Sequence, residues 1–301
     1  MRSHTLRTAI AGLAVATAPA MAQDFADARI ITQEIGSGLY VLFGVGEGVI
    51  AGNILASVGD DGVLIVDDQF PEIAPKYKEA IAEVGGGDID YVINTHWHFD
   101  HADGNRLLGP EGVPIVAHEA SRLRMMQDNQ INLVSTVVPQ PAFDSAAWPT
   151  FSYDESMRVH FNGHSIDLMH FGPAHTEGDT AVIFTDANVV HLGDVFNNSG
   201  YPFIDADNGG SLAGVVAFCQ AVLDRIDPTS IVIAGHGEVS DYRGLADYIA
   251  MLGTIRDRIQ DLVDSGATLD QVIAARPTAE WDGIKGDPAS FINRSYTGMT
   301  R

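Results

Sequence analysis

The stretch from Asn94 to Asn105, N-T-H-W-H-F-D-H-A-D-G-N, constrains this chain more than any other. His96, His98, Asp100 and His101, all able to ligate a metal, follow the apolar run Tyr91-Val92-Ile93, which reads as a buried strand. If the backbone stays extended past that strand, His96 and His98 project to one side, because side chains alternate with period two. Asp100 and His101, beyond a turn, reach a second point nearby. Imidazole with carboxylate is the donor set of zinc or a similar borderline metal.

The second half of the chain repeats one arrangement: an apolar strand, then a potential ligand beside glycine. Ile166–Phe171 leads to Gly172-Pro173-Ala174-His175-Thr176-Glu177-Gly178-Asp179, Val189–Leu192 to Gly193-Asp194, and Ile231–Ala234 to Gly235-His236-Gly237. Each sets a side chain on a tight loop at the carboxyl end of a strand, where open sheets carry their sites. The neighbouring glycine lets backbone approach closely.

Residues 1–22 read as a secretory leader. Arg2 and Arg7 form a positive start, Ala9–Ala18 is a short apolar segment, and Ala20-Met21-Ala22 is an A-x-A cleavage site before Gln23. Export to a periplasm or beyond follows. Residues 23–301 then form a single domain with 15 cationic and 40 acidic side chains, a net charge of −25. That balance disfavours nucleic acid, which requires a basic footprint, and anionic membrane surfaces. A small molecule is the expected partner. Cys219, the only cysteine, rules out an internal disulfide and sits in an apolar run as a core residue.

Along the mature chain, Ile30–Ile35, Leu39–Val45, Asn53–Val58 and Val63–Val66 read as strands joined by glycine-rich turns. Pro71–Val84 has helical spacing and stops at Gly85–Gly87; Pro114–Ala117 reads as a strand, and Ala102–Leu108 and Glu119–Met126 as helices. From Asn129 to Glu155 periodicity is lost, and Phe143, Trp148, Phe151 and Tyr153 suggest a loop that walls a pocket. Leu245 to Val263 recurs at helical spacing, and Thr268 with Gln271 fits a capping box opening another helix. The tail Trp281–Tyr296 reads as irregular and aromatic, a cap for the pocket or a contact for a neighbouring subunit. His160, His164 and His170 take structural or surface readings, whereas His118 and His191, beside the motif strands, are candidates to support the ligands.

The order H-x-H-x-D-H, then His175, Asp194 and His236, resembles the metallo-β-lactamase superfamily over roughly residues 35–240. The resemblance implies an α/β fold, a four-layer αβ/βα sandwich of two mixed sheets face to face with helices outside. It further implies that His96, His98 and His175 hold one zinc, that Asp100, His101 and His236 hold a second, and that Asp194 bridges them. By the same resemblance, two metals so held would supply a hydroxide to attack an acyl carbon, and Asp100 would orient it or move its proton. Asp67 matches the aspartate that ends an early strand and supports the ligand loop. Zinc is the expected metal, ahead of iron or manganese.

The chain departs from the β-lactamases that carry a cysteine ligand. Asp194 stands at that position, and the continuation Val195-Phe196-Asn197-Asn198 lacks the lysine that grips an antibiotic's carboxylate. Lys285 and Arg294 are the candidate cations to replace it. The implied activity is cleavage of an amide, β-lactam, lactone or thioester. The alternatives are a diiron redox enzyme of the same fold, or a metal-binding member without catalysis. Mass spectrometry of exported protein is expected to show a chain beginning at Gln23; an intact Met1 terminus on exported material would remove the leader assignment.

Overall fold

The computed structural model describes residues 25–301, so the leader lies outside the described residues. The first half runs β1 (Arg29–Gly36), β2 (Leu39–Val45), β3 (Ile54–Gly59), β4 (Gly62–Val66), α1 (Ala74–Glu83), β5 (Ile89–Ile93), α2 (Phe99–Ala102), α3 (Asn105–Leu108), β6 (Ile115–His118), α4 (Glu119–Met125), the hairpin β7 (Asn129–Asn132) and β8 (Val137–Gln140), and β9 (Phe151–Tyr153). The second half follows as β10 (Ser156–Phe161), β11 (His164–Met169), β12 (Ala181–Phe184), β13 (Val189–His191), α5 (Leu212–Leu223), β14 (Ile231–Ile233), β15 (Ser240–Asp241), α6 (Tyr242–Asp264), α7 (Leu269–Ala275), α8 (Asp282–Lys285) and α9 (Ala289–Met299).

One sheet has the order β1-β2-β3-β4-β5-β6-β9, and the other β10-β11-β12-β13-β14-β15. Both are mixed: β4, β5, β6 and β9 run parallel, as do β13 and β14, and the remaining pairs are antiparallel. The reason for the layering is legible in β4, whose sequence Gly-Val-Leu-Ile-Val has no polar side. Period two sends Val63 and Ile65 toward Tyr77 and Ile81 of α1, and Leu64 and Val66 toward Phe161, Leu168 and Phe184 of the other sheet. On the far side, Ile183, Val190 and Val232 pack under Val215 and Phe218 of α5 and Leu252 and Ile255 of α6. The result is helix, sheet, sheet, helix. No helix among the described residues is long and apolar enough to cross a membrane.

Two expectations are corrected. Residues 129–155 are not structureless: they hold the β7–β8 hairpin, a short 3-10 turn at Ser145–Ala147, and β9. Their periodicity escapes a sequence reading because each piece spans only three or four residues. Phe143 and Trp148 pack in a satellite core with Trp97, Tyr153 enters the central core, and the site cavity is walled instead by Ile131 and Leu133 of the hairpin. The tail is also regular, since α8 and α9 occupy most of it. Phe291 and Ile292 of α9 are buried in the helical core, and Phe291 stacks on Tyr201 with ring centroids 5.1 Å apart.

Smaller readings hold. Thr268 caps α7 in a capping box with Gln271, and Cys219 is fully buried. Arg294 is buried and pairs with Asp207 at 2.7 Å; Arg301 reaches the same carboxylate. This ion pair ties the C-terminal helix to the 203–210 loop. Arg294→Met is expected to destabilise the fold by at most about 3 kcal/mol, because Asp207 keeps Arg301 as a partner. A thermal or denaturant unfolding curve measures it.

Candidate metal centre

Four strand ends bring the site together. Asp67 follows β4 and His96 follows β5, both in the parallel part of the first sheet; Asp194 follows β13 and His236 follows β14, the parallel pair of the second. Asn53 ties the two halves here: its amide donates to the carbonyls of Ala234 at 2.9 Å and Gly237 at 2.8 Å. His98 is the N-terminal flank of α2, and the single turn of α2 swings Asp100 and His101 to a second point. His175 hangs from the loop after β11, its position set by Asp205 N–H donating to its carbonyl at 3.0 Å.

Ligand atoms of His96, His98 and His175 all lie within 4.8 Å of one another, and so do those of Asp100, His101, Asp194 and His236. Asp194 faces both groups. Its Oδ1 lies 3.1 Å from His101 Nε2 and 3.3 Å from His236 Nε2, while Oδ2 turns toward His175 Nε2 at 3.8 Å.

Hydrogen-bond bookkeeping decides what these atoms want. Asp67 accepts from Thr95 N–H at 2.7 Å and from the Thr95 hydroxyl at 2.8 Å. With its proton spent there, Thr95 Oγ1 can only accept from His96 Nδ1 at 3.1 Å, which leaves a lone pair on His96 Nε2. That nitrogen is buried without a partner. His98 Nε2 donates to Asp205 Oδ2 at 2.9 Å, so Nδ1 carries its lone pair. His175 Nδ1 donates to the Phe203 carbonyl at 2.8 Å, so its lone pair is on Nε2. His98 Nδ1 and His175 Nε2 then face each other at 2.9 Å, acceptor to acceptor. The second group repeats the pattern. His101 Nδ1 donates to Asp67 Oδ2 at 2.7 Å, and its Nε2 faces His236 Nε2 at 3.3 Å and Asp100 Oδ2 at 3.7 Å. Buried acceptors converging in this way need a cation between them, a metal ion or, in the second group where carboxylates stand beside the rings, bound protons. The donor set fits two metal ions of zinc type, one for each group.

The electrostatics split the two groups. Burial, reinforced by neighbouring imidazoles, pushes His96 well below its ordinary pKa and lowers His175, so both stay neutral. At His236 burial is outweighed by Asp194 and Asp100, which raise it to about 10; His101 is raised well above its usual range by Asp194, Asp100 and Asp67. Asp194, despite burial, is held well below the carboxylate range by His236 and His101. Without metal, protons therefore occupy the second group.

Glycine is required at two close approaches. A Cβ at Gly235 would strike Asp194 Oδ1, and one at Gly52 would strike the His101 ring. The first is the glycine-beside-ligand pattern of the sequence; the second was not legible there.

His191 accepts from Gly193 N–H at 3.1 Å and faces the Asn53 carbonyl at 3.0 Å, so it braces the turn that carries Asp194. The expectation for His118 is corrected. Its ring caps α4 through Ala120 N–H, faces the Asp154 carbonyl and stacks on His170 at 3.9 Å, so neither nitrogen is left for a ligand. Sequence reasoning missed Asp205 and the wall residues Tyr201 and Phe203, which lie on a loop without periodic pattern. A cavity of about 250 Å³ opens onto the centre, lined by Ile50, Phe99, Leu133, Tyr201 and Phe203 beside His98, Asp100, Asp194 and His236. Arg294 is committed to Asp207, and among the described residues neither it nor Lys285 lines this cavity, which corrects their candidacy as carboxylate grips.

Residues 48–236 match the profile of the Metallo-beta-lactamase superfamily. The chain belongs to that superfamily. Among solved structures, a metallo-beta-lactamase from Pontibacter korlensis aligns with TM-score 0.60 at 15% identity, covering 75% of this chain and 99% of that one. The DIM-1 metallo-beta-lactamase aligns with TM-score 0.58 at 16% identity, covering 75% and 98%. At such identities the likeness establishes the metallo-β-lactamase fold. The alpha subunit of 2,4-dinitroanisole O-demethylase from Nocardioides sp. (strain JS1661) is 27% identical over 154 residues, which are 50% of this chain and 43% of that protein. This chain thus matches less than half the length of that relative.

Three outcomes follow for metal binding. Asp205→Ala frees His98 to rotate and is expected to weaken metal binding about 10- to 100-fold, read by competition with a chelating dye. Asp194→Ala is expected to lower occupancy of both sites together. Metal loading also displaces the proton held on His236, so affinity is expected to rise with pH. In metal-free protein the sign of the stability effect is opposite: the raised His236 pKa contributes stability below about 6.5 that is lost as pH rises toward 10. Unfolding curves of metal-free and zinc-loaded protein across that window separate the two.

Proposed function

We propose that this chain is an exported dinuclear zinc hydrolase that cleaves an acyl bond of a small molecule: an ester-like lactone or thioester, an amide, or a β-lactam turned over weakly. The observation that carries the reading is the convergence of histidine lone pairs on two adjacent points with one carboxylate, Asp194, facing both. His96, His98 and His175 would hold one ion, Asp100, His101 and His236 the other, and Asp194 would join them. Zinc bound there would supply Lewis-acid polarisation of the scissile carbonyl and acidification of a water.

The chain's own groups do the rest. Asp100 lines the cavity with Oδ2 3.1 Å from His236 Nε2, which makes it the carboxylate available to orient or move a proton at the reacting atoms. Ile131, Leu133 and Phe203 give one side of the cavity an apolar wall. No cysteine nucleophile is needed: burial raises the Cys219 thiol far above its usual range, and its Sγ faces the Val195 carbonyl at 3.5 Å. Among the described residues no Lys or Arg lines the cavity, which argues against a grip on a substrate carboxylate, and so against a dedicated β-lactamase.

The Nocardioides relative, named for O-demethylation of 2,4-dinitroanisole, favours a second reading in which a neutral aryl ether is the substrate. The aromatic walls Phe99, Tyr201 and Phe203 would suit such a ring. A diiron redox enzyme and a metal-binding member without catalysis are the remaining alternatives; metal analysis of purified protein separates the first from the hydrolase, and a substrate screen separates the second.

A screen of zinc-loaded protein against β-lactams, lactones, thioesters, phosphodiesters and 2,4-dinitroanisole tests the reading. Expected are activity toward acyl substrates that rises with pH to a plateau near neutrality, loss with chelator, recovery with zinc, and indifference to thiol reagents. Asp100→Asn should cost about 100-fold or more in kcat. Preference for carboxylate-bearing substrates, or iron as the native metal, would overturn it.

A further inference from the structure

The cavity at the metal centre does not end there. Ile50, Ser199 and His236 line both it and a second chamber of about 720 Å³. That chamber lies between the β1–β2 ribbon and the Gly237–Val239 turn, which leads into β15, an edge strand of only two residues. Ile31 and Phe43 are register partners across β1 and β2 and stand side by side on the ribbon face that lines it, with Val45 two residues on and Val239 opposite. Ile31 is 52% exposed and Ile50 51% exposed, so two large aliphatic side chains meet solvent along one continuous cleft. Such contiguous apolar surface marks a binding groove more often than a passive face.

The polar groups of the chamber bear on charge. Asn53 is committed to Ala234 and Gly237, which leaves Gln33, Ser199 and the exposed Glu238. Among the described residues no Lys or Arg lines either chamber, while Glu238, Asp100 and Asp194 contribute negative charge. An anionic tail would be repelled and a neutral apolar one accepted.

We infer that the substrate is a neutral acyl compound whose alkyl tail passes His236 and lies in the chamber between the β1–β2 face and the Gly237–Val239 turn, with Ile31, Phe43 and Val239 setting the preference. The inference rests on the hydrolase reading above for its chemistry, but the groove can be tested apart from it.

The test uses zinc-loaded mature protein and p-nitrophenyl acetate, butyrate, hexanoate and octanoate. Expected is a rise in kcat/KM along the series of up to about fourfold per methylene, the equivalent of about 0.8 kcal/mol per buried CH2. Ile31→Asp and Val239→Asp should flatten the rise while keeping wild-type zinc content and melting temperature. Ile284→Asp, at a position 82% exposed that lines neither chamber, should keep the wild-type slope. The mono-p-nitrophenyl ester of a dicarboxylic acid of octanoate length should be turned over more slowly than octanoate. A flat series in the wild type, or a steep one that persists in both groove variants, overturns the inference. Binding of N-octylacetamide, followed by calorimetry, distinguishes the two failures. If it binds and the groove variants weaken it while no acyl substrate is cleaved, the groove stands and the hydrolase reading falls. If it does not bind, or binds equally to the variants, the groove falls even where esters are cleaved.

Discussion

The centre depends on one buried carboxylate. Asp67 sits at the end of β4 with φ of 63°, a left-handed conformation that a non-glycine residue holds only when its surroundings enforce it. From there it accepts the Thr95 amide and hydroxyl and the His101 ring. Through Thr95 it settles which nitrogen of His96 keeps the lone pair, and directly it settles the same for His101. One side chain that touches neither ligand cluster's interior thus sets the tautomer of a histidine in each. The backbone strain at Asp67 is offset by three short hydrogen bonds in a site where water cannot compete.

The second half of the molecule supplies a parallel device on its own loop. Asp205 and the Phe203 carbonyl orient His98 and His175, and the loop carrying them is held by Asp207 to Arg294 and Arg301 at the C-terminus. These arginines lie beyond residues 48–236, the span that matches the superfamily. The C-terminal helices therefore do more than cover the sheet: through Phe291 against Tyr201 they also back one wall of the cavity. Packing far from the metal centre and geometry at the centre are mechanically connected.

Charge and shape point to the same kind of ligand. Acidic side chains outnumber basic ones, and among the described residues the cavity lining adds none of the cations that an anionic substrate would need. Two metals would neutralise the carboxylates at the centre but not Glu238 at the rim of the cleft. A neutral substrate with apolar bulk meets the fewest penalties along the path from solvent to His236.

The sequence by itself marked the candidate ligand residues and, through the resemblance they carry, the layered fold. Spacing of two along an extended segment, glycines beside His236 and Asp194, and unbroken apolar strands such as Gly62–Val66 are local properties, readable without coordinates. The irregular reading of residues 129–155 failed because strands of three or four residues leave little local periodicity, whereas the tail helix Ala289–Met299 buries Phe291, Ile292 and Ser295 at helical spacing that the sequence reading passed over. The tertiary structure decided everything that involves two segments far apart in the chain. Asp205 is 107 residues from His98, and nothing in its own neighbourhood marks it as the partner of that ring. His118 and His191 both end strands beside the motifs, yet only His191 braces a ligand turn, because the direction of each ring is set by the fold around it. The second chamber likewise is formed by segments far apart in the chain, the β1–β2 ribbon and the Gly237–Val239 turn, and neither contains it by itself.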